Sequence, residues 1–192
     1  MLPNRRNVLL GGASLLSASA MPAFAARQKD EEIDPFMARV VRVAKGTPAN
    51  HIYVYPDDFA LYYTLEDGQA IYYPVGVAQR HLWEPGTYVI KAKKEWPTWK
   101  PTEEMIEREP KYAEWAEEPM PGGPNNPLGA RALYLFYHNG GDSMLRIHGT
   151  NAPRTIRTRV SNGCARLIND YAIDLYNRVQ MGAVVHLHPM RT

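Results

Sequence analysis

Cysteine is almost missing from this chain: Cys164 is the only one in 192 residues. A lone thiol cannot form a disulfide within its own chain, which excludes a small domain held together by such bridges. Composition alone leaves two interpretations open. The thiol is either buried and inert, as free cysteines often are, or it is kept for nucleophilic chemistry.

The chain also has no net charge once its first 25 residues are left out of the count. Removing Arg5 and Arg6 from the 22 basic residues leaves 20, which equals the number of acidic residues. A neutral chain with interspersed charges lacks the basic surface that nucleic-acid binding requires. We therefore expect no nucleic-acid partner. The remaining length of about 166 residues is that of one domain with a sizeable core.

The chain has no long, strongly hydrophobic run. Its most apolar stretch, residues 8–20, is diluted by glycine and serine, whereas a transmembrane helix needs about 20 mostly apolar residues. Arg5 and Arg6 precede this stretch, and Ala23-Phe24-Ala25 offers the small-x-small pattern of signal-peptidase cleavage. We predict that residues 1–25 are a signal peptide of twin-arginine type, with the general secretory route open as well. The mature chain is expected to have no membrane span.

What the chain does have is a series of short aromatic and β-branched runs that begins at His51. They are separated by turn signals such as Glu66-Asp67-Gly68 and Glu84-Pro85-Gly86. Such spacing favours a mainly β fold, either a β-sandwich or a mixed sheet. Residues 26–50 show little periodicity and are predicted to form an N-terminal tether, which leaves 51–190 as the folded domain. The predicted strands cover residues 52–55, 61–65, 70–77, 86–92, 132–137, 144–148 and 183–188.

Two helices are expected within this β domain. Residues 95–129 break the strand pattern and form an insertion, in which 102–109 can be a short helix capped by Thr102. An insertion of this length is usually functional or mobile, and we expect it to border a substrate cleft. Residues 169–182 form the best helix of the chain, with Asn169 as its capping residue.

The residues around Cys164 indicate how its thiol could act. His148 lies sixteen positions earlier, at the end of an apolar strand, and Gly149 lets the backbone turn there. A histidine beside a thiol can take its proton or stabilise the thiolate, which lowers a pKa that is normally about 8.5. Gly163 permits a tight backbone whose amides could face a developing oxyanion. Arg166 provides a fixed cation suited to a carboxylate-bearing ligand.

Several segments form a recognisable motif. They are Ile147-His148-Gly149-Thr150-Asn151, Val160-Ser161-Asn162-Gly163-Cys164-Ala165-Arg166-Leu167, Asn169-Asp170 and Asp174-Leu175-Tyr176. Together they resemble the L,D-transpeptidase catalytic domain family, also called YkuD-like, whose members remodel bacterial peptidoglycan. The resemblance covers roughly residues 51–187. It continues upstream through Tyr73-Pro74-Val75-Gly76-Val77, Pro85-Gly86, Pro97-Thr98-Trp99 and Asn126-Pro127-Leu128-Gly129-Ala130.

The resemblance implies a cysteine-dependent acyltransferase. Cys164 would attack the carbonyl at the L-centre of the diamino acid in a tetrapeptide stem and expel the terminal D-alanine. The thioester would then pass to an amine of another stem, or of a wall-attached outer-membrane protein. In the family, the histidine at the position of His148 is the base, and the carbonyl after it, here that of Gly149, orients the ring. Backbone amides near the cysteine, here those of Gly163 and Cys164, stabilise the tetrahedral intermediate.

Further expectations concern the substrate and the location. Ser161, Asn162, Asn151 and Arg166 are expected to bind substrate, with peptidoglycan stem peptides as donor and acceptor. We expect no cofactor and no metal, and a monomer that acts in the periplasm. The chain departs from the family pattern at two positions. Asn162 stands where many members have a histidine, and Arg157 stands in a loop that often reads Ser-Ile-Gly.

Three alternatives stay open. The same nucleophile could act with water, as an L,D-carboxypeptidase or cross-link hydrolase, because transfer and hydrolysis share the thioester. A non-catalytic peptidoglycan-binding module would keep the fold without needing Cys164 and His148. Finally, His186 and His188 share one face of the last strand and could ligate zinc, but no third ligand follows at a useful spacing.

Overall fold

The computed structural model describes residues 34–191, so the predicted signal peptide lies outside the described part of the chain. Within that range the helices are α1 (Glu103–Arg108) and α2 (Asn169–Arg178), with short 3-10 helices at Arg80–Leu82, Pro110–Trp115 and Pro153–Thr155. The strands are β1 (Arg39–Arg42), β2 (His51–Tyr55), β3 (Ala60–Thr64), β4 (Gln69–Pro74), β5 (Val77–Ala78), β6 (Gly86–Glu95), β7 (Arg131–Phe136), β8 (Asp142–His148), β9 (Arg159–Ser161), β10 (Ala165–Arg166) and β11 (Val184–Leu187).

Most of these strands belong to one mixed sheet. Its order in residues 34–191 is β1-β4-β3-β2-β11-β6-β7-β8-β10, and β5 pairs separately with β9. Neighbours run antiparallel except in the pairs β2–β11, β8–β10 and β5–β9, which are parallel. The predicted mainly β, mixed-sheet fold class is thereby confirmed.

In the middle of the sheet, burial follows from the alternation of side chains along the strands. Ile52 and Val54 of β2 are fully buried, whereas the residues between and beside them are half-buried. The parallel register places Val185 beside Ile52 and Leu187 beside Val54, so β11 presents its buried residues to the same side. Helix α2 packs against β7 and β8 and buries Leu175 there.

The N-terminal tether prediction is wrong for four residues. Residues 39–42 form strand β1, which pairs antiparallel with β4 at the edge of the sheet. The sequence RVVR has no run of core residues, and Val40 is one of its exposed members. Backbone pairing holds the strand instead, together with the guanidinium of Arg39, which lies 4.1 Å from the centroid of the Tyr72 ring. A pattern of buried residues could not predict such a strand.

Both predicted helices form, with one difference in how they begin. Thr102 caps α1 as predicted, because its side chain accepts a hydrogen bond from the amide of Met105 at 3.3 Å. Helix α2 instead has Ile168 at its N-cap and no side-chain capping bond, so Asn169 is not the cap. The helix ends at Arg178, before the predicted end, where Lys93 donates to the carbonyl oxygens of Tyr176 and Val179.

Candidate active site

His148 is the last residue of β8, and its side chain is buried. Its Nδ1 lies 2.6 Å from the carbonyl oxygen of Gly149, the residue that follows it. A carbonyl can only accept, so Nδ1 carries the proton and donates it, which leaves Nε2 as the basic nitrogen of the neutral ring. Nε2 is therefore the atom through which this histidine can act as a base.

Cys164 lies beside this histidine through the pairing of two short parallel strands. It directly precedes β10, in which Ala165 pairs with Ile147 and Arg166 pairs with His148. The side chain of Cys164 is half-buried. Among the hydrogen bonds of residues 34–191, none joins the thiol to the imidazole. Cys164 and His148 therefore lie on a pair of neighbouring strands or directly before one of them, with no hydrogen bond between the two side chains.

Burial controls the protonation of both groups. Burial, with a smaller contribution from the charges of Arg166 and Arg146, lowers the pKa of His148 to about 4, against the raising effect of the carbonyls of Gly149 and Leu128. Burial also raises the pKa of the Cys164 thiol, against the lowering effect of the Arg146 backbone and of both guanidinium groups. Near neutral pH the resting site therefore holds a neutral thiol and a neutral imidazole.

The turn before the cysteine is tightly built. Ser161 donates from its hydroxyl to the carbonyl oxygen of Cys164 at 2.5 Å, which closes the turn. Gly163 has a φ of +121°, a conformation that disfavours any residue with a Cβ. A Cβ added there would also lie 3.1 Å from Cδ2 of Leu145. Glycine is therefore needed at 163, and the backbone of the turn before Cys164 is held in a fixed conformation.

Arg166 carries the free positive charge of the site. Its Nε is buried without a hydrogen-bond partner, and its Nη2 has only a long contact of 3.4 Å to the carbonyl oxygen of Thr155. No carboxylate in residues 34–191 forms a salt bridge with it. Burial lowers its pKa, while Cys164 and Tyr112 raise it. A buried guanidinium with open donors is a site for a carboxylate ligand.

The insertion reaches the site at two points. Arg108 of α1 donates to the side-chain oxygen of Asn162 at 3.2 Å. On the other side, Asn151 donates to the carbonyl oxygen of Asn125 at 2.7 Å. The insertion therefore contacts the residues that follow His148 and those that precede Cys164, as expected of a segment that borders a substrate cleft. Asn162 and Asn151 each hold this segment in the structure.

Two residues near the centre were missed by sequence reasoning. Arg146 is buried beside the cysteine and bound to Asp142 through two hydrogen bonds of 2.7 and 2.8 Å. Asn169 accepts hydrogen bonds from the amides of Ala130 and Thr150 with its side-chain oxygen. The partners of Asn169 are 39 and 19 residues away, and the position of Arg146 near Cys164 depends on the pairing of β8 with β10, so neither role has a local signal.

His186 on β11 and His188 just after it both pack against tyrosine rings of β2. The His186 ring stacks on Tyr53 at 4.6 Å, and its Nε2 lies 3.2 Å from Nδ1 of His51. His188 stacks on Tyr55 at 4.1 Å. No group of three or more histidine, cysteine, aspartate or glutamate residues within 34–191 is arranged to hold a metal ion. Both rings therefore stack on tyrosines of β2, while Nε2 of His188 is buried without a hydrogen-bond partner.

Comparison with known proteins assigns the family. The model of the YkuD family, described as the L,D-transpeptidase catalytic domain, matches residues 49–187, which include the whole site. The chain belongs to this family. Curated L,D-transpeptidase relatives include the probable L,D-transpeptidases ErfK/SrfK and YbiS of Escherichia coli K12, 35% and 37% identical over 133 and 132 residues. These alignments cover 68% and 65% of this chain but 41% and 39% of the relatives, so the chain spans about two fifths of their length.

Solved structures share the fold. The Enterococcus faecium L,D-transpeptidase superposes with a TM-score of 0.55 at 15% identity, covering 73% of this chain and 50% of that one. A Brucella melitensis protein, named as a probable carnitine operon oxidoreductase caia, is 44% identical with a TM-score of 0.55, covering 79% of this chain and 93% of that one. Its name differs from those of the L,D-transpeptidase relatives. The stretch that matches the L,D-transpeptidase family model, residues 49–187, contains both Cys164 and His148.

None of the helices in residues 34–191 combines the length and the apolar character needed to cross a membrane. A cavity of about 770 Å³ lies between the β1–β2 connection and Tyr53, Tyr55 and Tyr62. It contains no residue of the L,D-transpeptidase motif. This cavity is therefore separate from the residues around Cys164 and His148.

Proposed function

We propose that this domain is a cysteine L,D-transpeptidase that removes the terminal D-alanine from a peptidoglycan tetrapeptide stem and transfers the acyl group to an amine. The amine belongs to another stem or to a wall-attached protein. One observation carries the proposal: the β8–β10 register pairs His148 with Arg166, two residues after Cys164, and no carboxylate in residues 34–191 forms a salt bridge with that guanidinium. A nucleophile, a base and a carboxylate-binding cation then meet at one edge of the sheet.

Acylation starts from the neutral thiol. As Sγ of Cys164 attacks the carbonyl carbon at the L-centre, its proton passes to Nε2 of His148. The backbone amides of Gly163 and Cys164 bind the oxyanion that develops. The C–N bond to D-alanine then breaks, and Nε2 returns the proton to the departing amine. The products of this half-reaction are free D-alanine and a thioester on Cys164.

Transfer reverses these roles. The acceptor amine attacks the thioester carbonyl and gives a proton to Nε2 of His148, and the C–S bond breaks. The proton returns to the sulfur of Cys164, which restores the neutral pair. Protonated His148 is favoured by the carbonyl oxygens of Gly149 and Leu128, whose effect on its pKa opposes that of burial. The imidazolium thus exists only while the proton is in transit.

Donor binding has to bring the thiol of Cys164 into hydrogen-bond contact with the imidazole of His148. Hydrogen bonds between catalytic groups are often long in an enzyme without substrate and tighten when the substrate is bound. Arg166 supports this step, because a donor carboxylate bound to its guanidinium lies next to the strand end that carries Cys164. Ser161, Asn162 and Asn151 complete the proposed substrate site through the turn and the insertion.

The decisive experiment is incubation with purified disaccharide-tetrapeptide, followed by mass spectrometry of the products. A cross-linked dimer that lacks one D-alanine supports transpeptidation. A tripeptide as the sole product means carboxypeptidase action, and an unchanged tetrapeptide favours a binding module. Cys164→Ala is the matched control and should form no product. His148→Ala should slow acylation by about a hundredfold or more, the range of a lost general base.

We also propose that the enzyme acts in the periplasm as a monomer, after cleavage near Ala25. The proposal is supported by the pattern of the first 25 residues and by the location of the substrate, which is outside the inner membrane. Fractionation of cells that express the full chain, followed by N-terminal sequencing, tests it. An intact N-terminus in the cytoplasmic fraction would contradict it.

A further inference from the structure

The peptide group between Gly149 and Thr150 is held from both ends. Its carbonyl oxygen accepts the proton of Nδ1 of His148 at 2.6 Å. Its N–H group, on Thr150, donates to the side-chain oxygen of Asn169 at 3.1 Å. One continuous chain of hydrogen bonds therefore runs from the Asn169 carboxamide through this peptide group to the imidazole.

The same oxygen of Asn169 binds a second backbone segment. It accepts from the amide of Ala130 at 3.0 Å, where β7 is about to begin. Gly149 is additionally fixed to β7, because its amide donates to the carbonyl oxygen of Arg131 at 2.9 Å. Asn169 thus joins the start of α2 to the backbone just before β7 and to the turn that follows His148. This turn, residues 149–150, is called the histidine turn below.

Close packing around the carboxamide shows that this arrangement is specific. A Cβ built on Gly149 would lie 2.2 Å from the Asn169 side-chain oxygen, and a Cβ on Gly129 would also lie 2.2 Å from it. Real Cβ atoms do not approach oxygen so closely. Glycine is therefore needed at both positions for the carboxamide to reach the peptide group.

A helix-capping role does not explain Asn169. Helix α2 has Ile168 as its N-cap, and no side chain caps it. The oxygen of Asn169 binds amides of other elements, 39 and 19 residues away along the chain. Its hydrogen-bonding capacity is therefore directed to the histidine turn.

We propose that Asn169 is a positioning residue for His148: it fixes and polarises the Gly149–Thr150 peptide group, whose carbonyl in turn holds the imidazole with Nδ1 protonated and Nε2 basic. An N–H group that donates makes the carbonyl of the same peptide a stronger acceptor, since hydrogen bonds in a chain polarise one another. Orientation of a ring by the partner of its other nitrogen is a general way to set the tautomer. The inference rests on the proposed role of His148 as the base.

The test uses the ring of His148 as the reporter. In ¹⁵N-labelled protein, the hydrogen-bonded Nδ1–H of His148 should give a ring-proton signal protected from exchange, assigned by its absence in His148→Gln. Asn169→Leu keeps the volume but removes the acceptor, and Asn169→Asp keeps an acceptor oxygen. Asp170→Leu makes the same apolar change on the exposed neighbour and is the matched control.

We expect the signal to be lost in Asn169→Leu and kept in Asn169→Asp and Asp170→Leu. The rate of D-alanine release should fall by about tenfold to a hundredfold in the leucine variant, the range for a misplaced catalytic group, mainly through kcat. If Asn169→Leu does not fold, Asn169→Gln decides instead, because its longer side chain displaces the oxygen and should also abolish the signal.

A protected signal that persists in the folded leucine variant, or in the folded glutamine variant that replaces it, would overturn the proposal. So would loss of the signal in Asn169→Asp, because the acceptor would then not be what matters. The ring signal is measured without substrate. A wild-type enzyme that shows the signal but does not process tetrapeptide would therefore contradict the proposed function and leave the positioning role to be judged by the variants.

Discussion

The buried imidazole of His148 should make the protein less stable in mild acid. Its pKa in the folded state is lowered to about 4, whereas a histidine in an unfolded chain titrates near 6.5. Between these values the unfolded chain binds a proton that the folded chain excludes, so stability falls as the pH drops through this window and changes no further below it. Stability decreases with falling pH because the folded protein keeps His148 neutral, whereas the unfolded chain can protonate it.

The size of the effect follows from the difference between the two pKa values. A shift of this extent corresponds to about 3 kcal/mol of unfolding free energy lost between pH 7 and pH 4. The assay is urea unfolding of wild type and of His148→Gln at a series of pH values. Glutamine cannot titrate, so the variant should lose about 3 kcal/mol less than wild type over this range.

Other groups titrate in the same range and must be subtracted. The pKa of His186 is also lowered, first by burial and then by His51 and His188. Hydrogen bonds lower the pKa of Asp57 and Asp142. These groups are common to both proteins, so they cancel in the difference between the two pH curves. Parallel curves for wild type and His148→Gln would refute the claim that His148 is buried and neutral.

Further predictions concern single side chains. Cys164→Ala should abolish the covalent thioester seen by intact-protein mass spectrometry while leaving the urea midpoint unchanged; an acylated alanine variant would show that the nucleophile is elsewhere. Arg166→Ala should raise KM for the tetrapeptide donor by about tenfold or more, as expected for a lost hydrogen bond to a charged group, and an unchanged KM would remove it from the donor site. Tyr73→Phe removes the buried hydroxyl that donates to Asp174 at 2.5 Å and should cost about 1 to 2 kcal/mol of unfolding free energy in urea titrations. Lys93→Met should cost about 1 kcal/mol in the same assay, because the carbonyl oxygen of Val179 loses a donor at 2.8 Å; a variant as stable as wild type would contradict the role of this lysine in ending α2.

The parts of the fold that were predictable are those with a local signal. Strands such as β2 alternate buried and half-buried residues, and α1 has a capping threonine directly before it. β1 has no buried residue, and β10 is only two residues long. Both exist because a neighbouring strand supplies hydrogen-bonding partners, which a one-dimensional pattern does not contain.

The residues of the candidate site also fall into those with a local signal in the sequence and those without one. Cys164 and His148 were predicted from a motif, and Gly163 from the backbone freedom that a tight turn requires. Arg146 and Asn169 were missed because their partners are fixed only when β8 meets β10 and α2 reaches the turn after His148. Asn169 belongs to the family motif, but the only role that the sequence indicated for its side chain was a local one, the cap of its own helix.

The position of β11 in the sheet has a consequence for how the chain acquires its structure. This strand is close to the C-terminal end of the described residues, yet it lies between β2 and β6 in the middle of the sheet. A nascent polypeptide that stops short of Val184 would leave two half-sheets with unpaired inner edges, which are sites for aggregation. Synthesis must therefore reach this last strand before the two halves can join, and a premature stop codon there should yield insoluble material.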